Sequence, residues 1–133
     1  MADKVDQATR SRIMAQVHST DSKEEIAARK ALHAAGLRFR LHRPDLPGKP
    51  DIVLPRHKMA IFIHGCFWHS HEGCRRSRMP TTNVEYWQRK IDRNKRRDAA
   101  NIEALAATGW RVRVIWGCEV QSGTDSVLKE LGK

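Results

Sequence analysis

The chain has 133 residues, a size that suits one domain around one core, and its 25 Lys and Arg against 15 Asp and Glu give a formal net charge of +10. Such an excess favours a polyanionic partner, since every phosphate neutralised releases counterions, and nucleic acid leads over an anionic membrane surface or simple solubility. No apolar run approaches the roughly 18 residues of a membrane span, the polar N-terminus carries no secretory pattern, and three cysteines suit a disulfide framework poorly.

Residues 5–17 read as a short helix bearing Arg10 and Arg12, with Ile13, Met14 and Val17 as its apolar members, broken at Ser19-Thr20-Asp21. Ser22-Lys23-Glu24-Glu25 has the spacing of a capping box and opens an Ala-rich helix that should stop at Gly36. Leu37–Leu41 alternates apolar and basic residues as a half-buried strand does, and the prolines and glycine of 42–50 mark a loop. Asp51–Leu54 and Met59–Ile63 are short strands joined by a turn at Pro55-Arg56-His57-Lys58. After a basic loop at Arg75–Pro80, Asn83 caps a long helix that runs to about Thr108 and ends at Gly109. Arg111–Trp116 is a further strand, and a weak helix follows from Ser122. The order α-α-β-β-β-α-β-α predicts an α/β fold, a mixed central sheet flanked by helices. The division expected is an N-terminal helix in 1–20, a core in 21–120 and a short tail in 121–133.

The densest chemistry lies in residues 61–74, an apolar strand running into Cys66, His69, His71 and Cys74, with Phe67-Trp68 between. If the strands at 59–63 and 111–116 are parallel neighbours, Cys118 emerges on the same edge and the three sulfurs converge. Three thiolates and one imidazole satisfy a tetrahedral zinc ion, and a closed set of four is the structural rather than the catalytic pattern. His71 is preferred as fourth ligand because it is nearer Cys74, while ordinary buried thiols are the plainer alternative.

Asp51 stands at the mouth of a short apolar strand, where a carboxylate either closes a turn or binds a hard cation such as magnesium. The long helix carries Val84, Trp87, Ile91, Asn94, Asp98, Ile102 and Leu105 on one stripe. Two polar residues on a core-facing stripe need partners if buried, so Asn94 and Asp98 either mark where the stripe turns to solvent or, as preferred, face the site, with Asp98 orienting His64 or His69. Its other face holds Arg89, Lys90, Arg93, Lys95, Arg96 and Arg97, either a solvated surface or a phosphate contact.

Pro50-Asp51 entering one strand, with the next strand ending about a dozen residues on, resembles the skeleton of the PD-(D/E)xK, restriction-endonuclease-like core. Ile61-Phe62-Ile63-His64 stands where that pattern expects Glu-x-Lys, so a backbone carbonyl or water must complete the cation site. More specifically, Ala8-Thr9-Arg10-Ser11 with Met14, Leu46-Pro-Gly-Lys-Pro-Asp51, Ile61-Phe62-Ile63-His64-Gly-Cys-Phe-Trp-His69, Tyr86-Trp87-Gln-Arg-Lys-Ile91 and Gly109-Trp-Arg-Val resemble the very short patch repair (Vsr) DNA mismatch endonucleases. The likeness runs from about residue 6 to 118.

That resemblance implies a magnesium-dependent, zinc-stabilised endonuclease. It would nick one strand of double-stranded DNA beside a T·G mismatch left by 5-methylcytosine deamination, and so start very short patch repair. It further implies Asp51 as the side-chain magnesium ligand with the Ile63 carbonyl, His69 as general base, His64 near the scissile phosphate, and Glu25 at the metal-bound waters or leaving group. Zinc at Cys66, His71, Cys74 and Cys118 would hold the loop, while Phe67 and Trp68 would wedge beside the mismatch with Met14 entering the opposite groove. Arg10 and Arg12 would also contact DNA. A monomer acting in the cytoplasm on nucleoid DNA is expected, with mismatch-repair proteins as candidate partners and no membrane contact. The rivals are a nuclease without mismatch preference and a zinc-bearing DNA-binding module without catalysis.

Overall fold

The computed structural model of the protein describes residues 22–69 and 71–133. Helix α1 (Lys23–Ala34) starts as its sequence requires: Ser22 is extended and its hydroxyl accepts the Glu25 N–H at 3.1 Å. The chain leaves the helix through Gly36 at φ +83°, a left-handed position that glycine takes without strain.

Strands β1 (Arg40–Leu41), β2 (Ile52–Leu54), β3 (Met59–His64) and β4 (Arg111–Trp116) form one sheet in the order β1-β2-β3-β4. The first two pairings are antiparallel and β3–β4 is parallel, so the sheet is mixed as expected. The turn between β2 and β3 is a 3₁₀ turn at Pro55–His57 closed by Lys58 at φ +48°. Helix α2 (Val84–Ala107) supplies the crossover that a parallel β3–β4 pair needs, and α3 (Val120–Glu130) follows β4.

Period-two alternation sorts the side chains onto two faces. Met59, Ile61, Ile52, Leu54 and Ile115 pack with Ala28 and Leu32 of α1 and Val127 of α3. Ala60 and Phe62 pack with Leu105 and Ile102 of α2, along with Val112 and Val114. His64 falls in the same parity as Phe62, is registered against Trp116, and therefore projects on the α2 side. The β3–β4 pairing also brings the residues after both strands to one sheet edge, which is where the chemistry collects.

Three local expectations need correction. The strand read over 37–41 pairs only at Arg40–Leu41, because its partner β2 is three residues long; Leu37 turns into the core instead. Asn83 does precede the long helix, but at φ 54° with no side-chain cap bond, and Val84 is 46% exposed rather than part of a buried stripe. The terminal helix begins at Val120 and is anchored by buried Thr124 and Val127, so packing compensates for its weak propensity. No described helix is long and apolar enough to cross a membrane.

Candidate active site and metal centre

A cleft of about 550 Å³ opens where the 46–51 loop, the end of β3 and the middle of α2 meet. Gly48 lets the loop seat against α2: it lies at φ +76°, and a Cβ there would fall 2.9 Å from Asn101. The loop thereby delivers Asp51 to the cleft, which Glu25, Ile63, His64, His69 and Asp98 also line.

On one wall Asp51 Oδ2 accepts the Ile63 N–H at 2.7 Å. Burial pushes the Asp51 carboxyl up to about 6; the Ile63 amide opposes that shift and the nearby Glu25 carboxylate adds to it. Glu25 is only 2% exposed. Its Oε2 meets the Arg29 guanidinium and lies 2.8 Å from His42 Nε2, while His42 Nδ1 is 3.9 Å from Asp51 Oδ1. Glu25, His42 and Asp51 thus form a donor group able to hold a metal ion.

On the facing wall His64 and His69 stack with centroids 3.8 Å apart and planes 4° from parallel. Asp98 Oδ2 accepts from His69 Nδ1, so in the neutral ring the Nε2 lone pair is left as the base. Burial, with the neighbouring His69 ring, pushes His64 down to about 4, so it is neutral at pH 7. Asn94 is buried beside this pair and donates Nδ2–H to the Trp68 carbonyl at 3.1 Å; Arg97 in turn donates to Asn94 Oδ1 at 3.0 Å. The two polar residues of the α2 stripe are therefore partnered.

At the sheet edge Cys66, His71, Cys74 and Cys118 point donor atoms at one another, all within 4.8 Å. Cys74 and Cys118 sulfurs are 3.6 Å apart and His71 Nδ1 is 3.3 Å from Cys118 Sγ. Ligands at tetrahedral angles around an ion with bonds of about 2.3 Å to sulfur sit about 3.8 Å apart, so the spacing suits one metal ion. Desolvation and the neighbouring Cys66 and Cys74 sulfurs push the Cys118 thiol up to about 12, a crowding that a bound cation would relieve. His71 Nε2 is 3.2 Å from Glu119 Oε1 and its ring stacks on Trp116 at 4.2 Å, which fixes the ring with Nδ1 inward. Ser77 Oγ donates to the carbonyls of both His71 and Cys74, at 2.8 and 2.7 Å, and closes the knuckle.

Phe67 and Trp68 do not stand free of the core. Trp68 is 4% exposed, 5.7 Å from Trp87 and under the Lys90 ammonium at 5.3 Å; Phe67 makes edge contacts to both Trp68 and Trp87. Helix α2 supplies the packing surface for both rings, which the sequence spacing hid.

The structure brings together Asp51, Glu25, Ile63, His64, His69 and Asp98 in the cleft, and the four sulfur and imidazole donors at the edge. Ile63 touches Asp51 through its amide N–H. Met14, Arg10 and Arg12 lie outside the described residues. His42, Trp87 and Glu119 escaped sequence reasoning. Nothing in the spacing of His42 separates it from any loop histidine, Trp87 read as a routine apolar position, and Glu119 followed a ligand whose partners lie more than forty residues away.

The family model for DNA mismatch endonuclease Vsr matches residues 2–76. The type II nicking enzyme V.XorIIP of Xanthomonas oryzae pv. oryzae is 49% identical over 120 residues, covering 90% of this chain and 88% of the relative. The DNA mismatch endonuclease Vsr of Escherichia coli K12 is 40% identical over 133 residues, covering 98% and 85%. The type II nicking enzyme V.NmeAIP of Neisseria meningitidis is 39% identical over 122 residues, covering 92% and 86%. A likeness of this depth along nearly the whole chain places the protein in the Vsr family of DNA endonucleases.

Proposed function

We propose that the protein nicks one strand of duplex DNA beside a T·G mismatch and so initiates very short patch repair, with magnesium in the cleft and zinc at the sheet edge. The observation that carries this reading is the confrontation, across one cleft, of a carboxylate pair able to hold a cation with an Asp98-oriented imidazole. A phosphodiester seated between them has a cation site on one side and a base on the other.

The donor chemistry fits both metals. Two ionisable carboxylates, one pushed up to about 6 by burial and its neighbour, suit a hard divalent cation. Three sulfurs and a ring nitrogen at tetrahedral spacing suit zinc. When bound, magnesium would supply Lewis-acid polarisation of the phosphate and charge neutralisation on the leaving oxygen. The chain's own groups do the rest. His69 Nε2 takes a proton from the attacking water while Asp98 holds Nδ1–H and stabilises the imidazolium. The new bond forms from water oxygen to phosphorus as the phosphorus–oxygen bond to the leaving oxygen breaks. His64, kept neutral, lies against the phosphate without repelling the charge that develops on His69. Glu25 orders water near the leaving group, and the zinc centre, rooted on the loop after β3, fixes His69.

Mismatch preference would come from Phe67, Trp68 and Trp87. A wedge role for Trp68 requires it to leave its packing on α2, a cost regained most readily where the base step is already weak. The positive surface of α2 would hold the backbone, with Arg10, Arg12 and Met14 engaging the duplex from the N-terminal segment, and mismatch-repair proteins would act on the nicked product. Two relatives named as type II nicking enzymes favour a second reading, in which nicking depends on sequence context more than on the mismatch. Cleavage of end-labelled duplexes that differ only in T·G against C·G decides between them. Equal nicking of both selects the second reading; no nicking of either with magnesium, or unchanged nicking by Asp51→Ala, rejects the endonuclease site as drawn.

A further inference from the structure

We propose that His42 supplies a nitrogen donor to the cation position at Asp51, tilting this chain's divalent-cation preference from magnesium towards manganese. The inference rests on the reading of the cleft as a cation-dependent site and adds to it a residue and a selectivity.

A cation at Nδ1 needs the ring hydrogen on Nε2. His42 Nε2 lies 2.8 Å from Glu25 Oε2, an acceptor for that hydrogen, and 3.2 Å from Arg29 Nη2, which itself engages Glu25. In the neutral ring Nδ1 then carries a lone pair, and it faces Asp51 Oδ1 at 3.9 Å. The other Asp51 oxygen is already taken by the Ile63 N–H at 2.7 Å. Two lone-pair donors thus look at each other across a gap too wide for a hydrogen bond, yet within reach of one ion bonded at about 2.1 Å to each.

The backbone holds this arrangement rather than leaving it to a mobile side chain. His42 sits at φ +49°, a left-handed conformation uncommon for histidine, and its N–H donates to the Asp51 carbonyl at 3.2 Å. The ring is therefore tied to the same residue whose carboxylate it faces. Magnesium takes oxygen ligands and keeps its waters, whereas affinity for an imidazole nitrogen rises along the transition series from manganese onward. Manganese still accepts carboxylates, so an Asp51–His42 pair suits it better than an all-oxygen site would.

The test measures cation binding on the full chain without DNA, by manganese electron paramagnetic resonance with magnesium as competitor at pH 8. The primary variant is His42→Asn, because Asn tolerates the left-handed backbone at that position; His42→Gln is the second, and unfolding temperatures in cation-free buffer show that each is folded. Both variants should lower the ratio of manganese to magnesium affinity about tenfold or more, with magnesium affinity changed by less than about threefold. An unchanged ratio, or a parallel loss of both affinities, overturns the donor assignment. Asp51→Asn should weaken both ions strongly; if it does not, the reading of the cleft fails rather than the role of His42.

Discussion

Replacing Asp51 by Asn should stabilise the protein while abolishing its activity. The carboxyl is 25% exposed and titrates near 6 in the fold, against an ordinary value of 3.8. A folded-state value raised above the unfolded one means that stability is fullest below pH 3.8 and is lost as pH rises through 6. The ionised form at pH 8 thus costs about 3 kcal/mol, from roughly two pH units at about 1.4 kcal/mol each, and about half that at pH 5. Asn keeps an oxygen for the Ile63 N–H and carries no charge to desolvate. The expected gain is about 1–3 kcal/mol at pH 8, or roughly 3–5 °C in Tm per kcal/mol for a chain of this size. Thermal unfolding in chelator-treated buffer measures it, and the gain should shrink towards pH 5. Saturating magnesium should reverse the order, because only the wild-type carboxylate gains the ion. A variant less stable than wild type at pH 8 without divalent cations, or a gain independent of pH, refutes the argument.

Asp98→Asn keeps a polar contact to His69 but no longer fixes its tautomer, so nicking should slow by about 10²–10⁴-fold with Tm nearly unchanged; equal activity would remove Asp98 from the mechanism. His64 has the opposite linkage to Asp51: its folded value near 4 lies below the ordinary 6.5, so its contribution is present above 6.5 and lost as pH falls through 4. His64→Gln should therefore flatten the fall in stability over that window, and equally steep profiles would contradict the assignment. Zinc should be released by a thiol reagent at one ion per chain, and Cys118→Ser should lower both zinc content and Tm; a zinc-free protein that unfolds at the same temperature defeats the structural role. Trp68→Ala should cost about 3–5 kcal/mol because the ring is buried on α2, and Phe67→Ala, half-exposed, clearly less; equal unfolding shifts would mean that the packing described for the loop is wrong.

Strands β2, β3 and β4, the capped first helix and the long amphipathic helix were legible in the residues, because local propensity and the tertiary packing agree there. So were the two groups of chemistry: a carboxylate at a strand mouth, and a thiol–imidazole knuckle whose distant fourth member, Cys118, followed from the parallel pairing of β3 and β4. Interrupting an apolar stripe with Asn94 and Asp98 pointed to polar partners, which the fold supplies.

Tertiary structure alone decided what those residues do to one another. Whether Asp98 meets His64 or His69 depends on angstroms between a helix and a loop, and the fold chose His69. Burial first, then neighbouring charges and amides, sets the Asp51 carboxyl at about 6 and His64 at about 4, since desolvation is a property of surroundings that no linear motif records. His42 was anonymous until a left-handed turn placed its ring between two acids, and Phe67-Trp68 looked like free wedges until α2 covered them. Sequence named the chemical groups of this protein because side-chain identity is local; the fold assigned their partners because contacts between distant residues are not.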